Sequence, residues 1–175
     1  DTCSGGPVAV WSFTTEQDPS LNTLFVEDFE AGSGLWTITN DGGTCVFTVA
    51  PITQNSYTLP STAAGSVLSA DADFCGSGST TLSTATLNTA IDATLYSVVN
   101  IEFDNDWQAI DADDFGYIEV STDGGTSWTA VKTFDVVDVR NTHEVIDISS
   151  TVALKSFSLR LRTIQPAWDW WWAVD

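Results

Sequence analysis

Two stretches at opposite ends of the sequence carry residues with metal-binding chemistry. Phe25-Val26-Glu27-Asp28-Phe29-Glu30 lies near the start, and Trp168-Asp169-Trp170-Trp171-Trp172-Ala173-Val174-Asp175 closes the chain. Each sets carboxylates into an apolar, strand-like run. Burying a carboxylate in a sheet is costly unless something neutralises it. A hard cation would do so, with oxygen ligands drawn from distant parts of the chain, and calcium is the expected ion. The plainer alternative for Glu27–Glu30 is an exposed acidic strand start.

A second group of acids, Asp104, Asp106, Asp111, Asp113 and Asp114, falls within eleven residues. Asp111-x-Asp113-x-Phe115-Gly116 imitates the opening of an EF-hand loop. It departs from that pattern because Phe115 takes a ligand position and Thr122 stands where the bidentate Glu belongs. A loop-built second cation site and a solvated acidic loop both stay open. Trp168, Trp170, Trp171 and Trp172 invite a sugar-stacking reading. Alternation sends Trp170 and Trp172 to one face and Trp171 to the other, so one set belongs to the core. Trp168 and Trp171, with Trp107, are the candidates for exposed ligand-binding rings.

Catalytic chemistry is poorly represented, and no catalytic residue is assigned. The one histidine, His143, sits beside Glu144 at an expected strand start and reads as a surface residue. No Gly-x-Ser-x-Gly elbow accompanies it. No carboxylate pair is marked out for glycoside hydrolysis. The three cysteines lack a C-x-x-C spacing that would suggest zinc. In an oxidising compartment Cys45 and Cys75, both beside strand-like runs, are expected to pair, which leaves Cys3 free or bonded elsewhere. Three reduced thiols are the alternative.

The elements that must position these residues read as strands. In Ser156–Arg162, Phe157, Leu159 and Leu161 fall on one face, with Ser158, Arg160 and Arg162 on the other. Ile101 and Phe103 alternate around Glu102, and Ile118 and Val120 around Glu119. Asp123-Gly124-Gly125 between two such runs marks a hairpin from Tyr117–Ser121 to Trp128–Phe134, because Gly accepts positive φ. Further strands are expected at Leu35–Thr39, Val46–Ala50, Val67–Phe74, Thr80–Leu87, Glu144–Ile148 and Trp171–Val174. About ten short strands without helical periodicity indicate an all-β sandwich of two antiparallel sheets. Residues 1–23 are less patterned and read as an N-terminal extension along a domain spanning 24–175.

Composition narrows the function. Lys and Arg number 5 against 24 Asp and Glu, for a formal charge of −19. No basic stripe exists to neutralise phosphates, which excludes nucleic acid and anionic membranes as partners. No apolar run reaches the length of a membrane span. The Thr-rich, Lys-poor and aromatic-rich composition resembles that of a secreted β-protein.

Three motifs in order resemble the bacterial secreted jelly-roll modules related to MAM domains, including cleaved-adhesin and choice-of-anchor J domains. They are Glu27-Asp28-Phe29-Glu30 followed by Trp36, the run Tyr117–Trp128 containing Ser121-Thr122-Asp123-Gly124-Gly125, and Leu159-Arg160-Leu161-Arg162 followed by Trp172-Ala173-Val174-Asp175. The resemblance covers about residues 24–175. It implies a jelly roll, a structural calcium and no catalytic residues. The implied ligands are Asp28, Glu30 and Asp175, with Asp71 or Asp73 as the acid from a middle strand. Period two would place Asp28 and Glu30 on one strand face. The expected function is a secreted, extracellular calcium-binding adhesion or attachment module of a bacterial surface protein. Its partner would be a protein or glycan at a cell or matrix surface, or a second copy through self-association. The alternative is a carbohydrate-binding module appended to a secreted enzyme.

Overall fold

The computed structural model describes residues 22–175. Cys3 and most of the expected N-terminal extension lie outside them. Eleven strands and two short helical turns follow in order: β1 Trp36–Asn40, β2 Thr48–Pro51, β3 Ser66–Asp71, α1 Ala72–Cys75, β4 Thr81–Leu87, β5 Ile91–Asp92, β6 Asn100–Gln108, β7 Phe115–Ser121, β8 Thr129–Phe134, β9 Val139–Asp147, α2 Ser149–Val152, β10 Ser156–Gln165 and β11 Trp171–Val174. They form two antiparallel sheets. The first runs β1-β4-β10-β7-β8, with β5 paired to β10, and the second runs β2-β3-β11-β6-β9. Most sequence neighbours cross from one sheet to the other, the exceptions being β2–β3, β4–β5 and β7–β8, and the fold is a jelly-roll β-sandwich.

The core is the meeting of the two inner faces. Along β10, Phe157, Leu159 and Leu161 are buried, while Ser158, Arg160 and Arg162 point away. That is the alternation the sequence predicts. The second sheet contributes Trp107 and Trp172, both fully buried. Their rings meet edge to face at 6.0 Å and enclose Phe134 at 6.1 Å and 5.5 Å. Gly116 on β7 faces this cluster. A Cβ there would lie 3.1–3.2 Å from both indoles, so a side chain would have to push the rings back by a few tenths of an ångström.

Three local expectations change. The strand predicted over Val67–Phe74 stops at Asp71, whose side chain turns back to accept from Phe74 N at 2.7 Å and caps α1. β9 begins at Val139, earlier than expected, as an edge strand on which exposed and half-buried residues alternate from Asn141 to Asp147. Asp28 and Glu30 do not share a strand face. Phe29 between them adopts φ 53°, and its ring is buried against Trp36 at 6.1 Å. Glu27 fixes this entry by accepting from Phe29 N and Trp36 Nε1, both at 3.0 Å. The expected Cys45–Cys75 disulfide is present, with 30 residues of separation and a Cα–Cα distance of 6.4 Å.

Candidate cation-binding and ligand-binding sites

The outer face of the second sheet carries a row of carboxylates. Alternation points Asp104 and Asp106 of β6, Asp71 of β3 and Trp171 of β11 away from the core. All four are nevertheless buried. The loop between β2 and β3, residues 52–65, folds across them as a roof. Tyr57 Oη donates to Asp71 at 2.6 Å, Thr58 N to Asp106 at 2.6 Å, Thr62 Oγ1 to Asp104 at 2.5 Å and Ala64 N to Asp175 at 3.0 Å. Arg140 makes a bidentate pair with Asp106 at 2.6 and 3.0 Å, and Trp171 Nε1 donates to the same carboxylate at 2.8 Å. This pairing holds the Arg140 guanidinium above its ordinary pKa. Burial, then the Asp71 hydrogen bond, pushes the Tyr57 hydroxyl pKa up, so it remains a donor.

One corner of this face gathers acids from the start, middle and end of the chain. Asp175 exchanges backbone hydrogen bonds with Asp104 at 2.9 and 3.1 Å. Glu30 accepts from Ser66 N at 2.6 Å and lies against Gly65, where a Cβ would collide with its carboxylate. Asp28 Oδ1 accepts from Glu30 N at 3.1 Å. Burial raises the Asp175 pKa, and the charges of Asp104, Asp28 and Glu30 add to it. Repelling carboxylates around one partly buried acid are what a cation would relieve. As the side chains stand, no three His, Cys, Asp or Glu among the described residues are drawn into a coordination cluster. Each of Asp28, Glu30 and Asp175 instead spends one oxygen on a backbone N–H.

Asp71 and Asp73 are not part of this corner. Asp71 is committed to Tyr57 and the α1 cap, and Asn55 Nδ2 bridges it to Asp73 at 3.3 and 3.1 Å. The middle-strand acid near Asp175 is Asp104. The sequence placed it in an acidic cluster without giving it this position, because only the β6–β11 register brings the two together. Its other oxygen accepts from or shares a proton with His143 Nδ1 at 2.8 Å.

The expected ring positions also change. Trp107 is core, with Nε1 donating to Asp135 O at 2.6 Å. Trp171 faces outward but lies under Tyr57 at 5.5 Å and Arg140 at 5.2 Å. Of the three candidate rings only Trp168 is exposed, at 47%. A different aromatic set lines the open outer face of the first sheet. Phe115 and Tyr117 stack at 5.8 Å, Arg162 lies over Tyr117 at 4.3 Å and Arg160 over Trp128 at 4.2 Å. Glu119 joins the two arginines at 2.7 and 3.0 Å. Burial alone would raise the Glu119 pKa, but hydrogen bonds from Arg162 and Arg160 outweigh it and hold the group low. The alternation on β10 signalled Arg160 and Arg162. Their ring partners on β7 and in the hairpin were not foreseen. At the other end, an apolar cleft of about 760 Å³ lies between residues 22–29 and the sandwich, with Leu24, Val26, Leu95 and Val98 on its rim.

No protein-family model matches the chain, and no curated protein matches it significantly. Solved structures do. The K2 cleaved adhesin domain of Lys-gingipain aligns with a TM-score of 0.56 and 12% identity, over 86% of this chain and 95% of that one. The carbohydrate-binding module TmCBM61, solved in complex with β-1,4-galactotriose, aligns with a TM-score of 0.50 and 13% identity, over 88% of this chain and 95% of its own. At these identities the likeness shows a shared β-sandwich fold.

Proposed function

We propose that this chain is a non-catalytic attachment module of a secreted or cell-surface protein, fastened by calcium. The observation that carries the reading is the corner where Asp28, Glu30, Asp104 and Asp175 converge from three distant segments. All five Lys and Arg side chains are engaged away from it. Lys132 pairs with Glu144, Arg140 with Asp106, and Arg160 and Arg162 with Glu119, while Lys155 donates to Thr151 O. The protein therefore supplies no lysine or arginine there, and a hard cation with oxygen ligands fits the donor set. Asp28, Glu30 and Asp175 would hold it, with Asp104 as the acid from the middle of the chain. Calcium would tie the residue 28–30 turn to the last strand. Calorimetric titration tests this: calcium binds the wild type, and Asp175→Asn loses that binding.

A second reading is favoured by the open outer face of the first sheet. Phe115, Tyr117 and Trp128 offer ring surface for sugar stacking, and Arg160, Arg162 and Glu119 offer hydrogen bonds to hydroxyls. The fold does not choose between the readings, since one structural neighbour is an adhesin domain and another was solved with a galactotriose. A glycan array with and without calcium separates them. Binding abolished by Trp128→Ala supports the sugar reading, and an array without hits supports protein attachment.

A further inference from the structure

We propose that Asp114 and Asp169 form a second divalent-cation site, at the opposite end of β11 from Asp175 and with Asp111 at its rim. Asp114 ends the loop before β7, and Asp169 arrives separately in the loop before β11. Asp114 is fully buried and Asp169 is 1% exposed. Asp114 Oδ2 accepts from Ile110 N at 2.8 Å and Asp111 N at 3.1 Å, which fixes its orientation. Asp169 Oδ2 accepts from Ala167 N at 3.1 Å. The remaining oxygen of each, Oδ1, is buried with no hydrogen-bond partner. Ile110, whose N–H is held by Asp114, lines one pocket with Asp169, which places the two carboxylates side by side. Burial raises the Asp169 pKa to about 6, and the charges of Asp114 and then Asp111 add to it.

Two neighbouring buried carboxylates with bare oxygens are costly without a counter-charge. The chain cannot provide a lysine or arginine, because all five are engaged elsewhere. A hard cation would use the two bare oxygens and fill its remaining positions with water or backbone carbonyls. Such a site needs only two carboxylates, so it does not require a cluster of three acidic side chains. A pocket of about 190 Å³, lined by Asp73, Ile110, Trp168, Asp169 and Trp170, gives access to Asp169. The position is distinct from the EF-hand-like reading of Asp111 and Asp113, since its second ligand comes from a loop 55 residues further along the chain.

Calcium stoichiometry by calorimetry on the full chain is the test, with terbium luminescence sensitised by Trp168 and Trp170 as a second readout. The wild type is expected to bind two equivalents of calcium. Asp169→Asn should remove one and strongly reduce the terbium signal, while Asp175→Asn should remove the other and keep that signal. Asp169→Asn also relieves the carboxylate repulsion, so its calcium-free melting temperature should equal or exceed that of the wild type, which verifies folding. Asp111→Asn, at an exposed position, should weaken the same site about tenfold. An Asp169→Asn protein that keeps the full calcium count overturns the proposal. One equivalent lost only in Asp175→Asn would leave the first site standing and remove this one.

Discussion

Glu119 shows what a single carboxylate does when the chain provides its cations. It lies between Arg160 and Arg162, whose side chains keep 22% and 27% of their surface in water. Its folded pKa lies below the ordinary value near 4.5. The pairing therefore contributes its full stability above about pH 5 and loses it as pH falls through the depressed folded value. Glu119→Gln is expected to cost about 2 kcal/mol at pH 7, less than a fully buried pair because the arginines are partly wet. In urea unfolding followed from pH 7 to pH 2.5, the difference between variant and wild type should shrink towards the acid end. A difference that stays constant with pH would show that Glu119 contributes packing alone. The sequence made part of this legible, since alternation on β10 already put both arginines on one outward face. It gave no sign of Glu119 as their shared partner, because that contact depends on the β7–β10 register. Trp107 turns inward into the core, and Trp171 was misplaced for a related reason. Alternation correctly turned Trp171 outward, but no local pattern announces that a loop will cover an outer face.

That loop, residues 52–65, is the element on which the second sheet depends. It satisfies five buried or partly buried carboxylates, and its Tyr57 also bonds Ser69 Oγ at 2.8 Å. Tyr57→Phe leaves a buried Asp71 oxygen short of its donor. The expected loss is about 1–3 kcal/mol by denaturant unfolding, and an unchanged midpoint would show that the roof is replaceable by water. The disulfide acts at the same scale. Cys45–Cys75 closes 30 residues and ties the segment before β2 to the end of α1. The double change Cys45→Ala and Cys75→Ala should lower stability by about 3–4 kcal/mol in the chain-entropy model. Full resistance to urea in reducing buffer would contradict this. Strands were the most legible elements because each carries its own period. The end of β3 was not legible, since Asp71 acts as a cap only once the chain has turned.

At the scale of the molecule, 24 acids face 5 bases, and the structure assigns all five bases to partners. Two such surfaces meet only with divalent ions between them or under strong screening, with a Debye length of about 3 Å at 1 M salt. Self-association is therefore expected to strengthen in millimolar calcium and only partly in matched sodium chloride, as light scattering would show. Assembly indifferent to calcium would point to an apolar contact, for example at the cleft rimmed by Leu95 and Val98. The sandwich itself was readable from the chain, because two sheets are the simple way to bury so many short alternating strands. The acid completing the corner was not, since Asp104 reaches Asp175 only through sheet pairing. The most direct test of the account is the thermal melt of the wild type and Asp175→Asn in calcium and in EDTA. At a hundredfold excess over the dissociation constant, calcium should add about 2.7 kcal/mol, or about 5–10 °C for a domain of this size. Calcium held at the Asp175 corner should give the wild type that gain and Asp175→Asn a clearly smaller one. Superimposable wild-type melts in calcium and EDTA, with no metal bound to the protein, would contradict it.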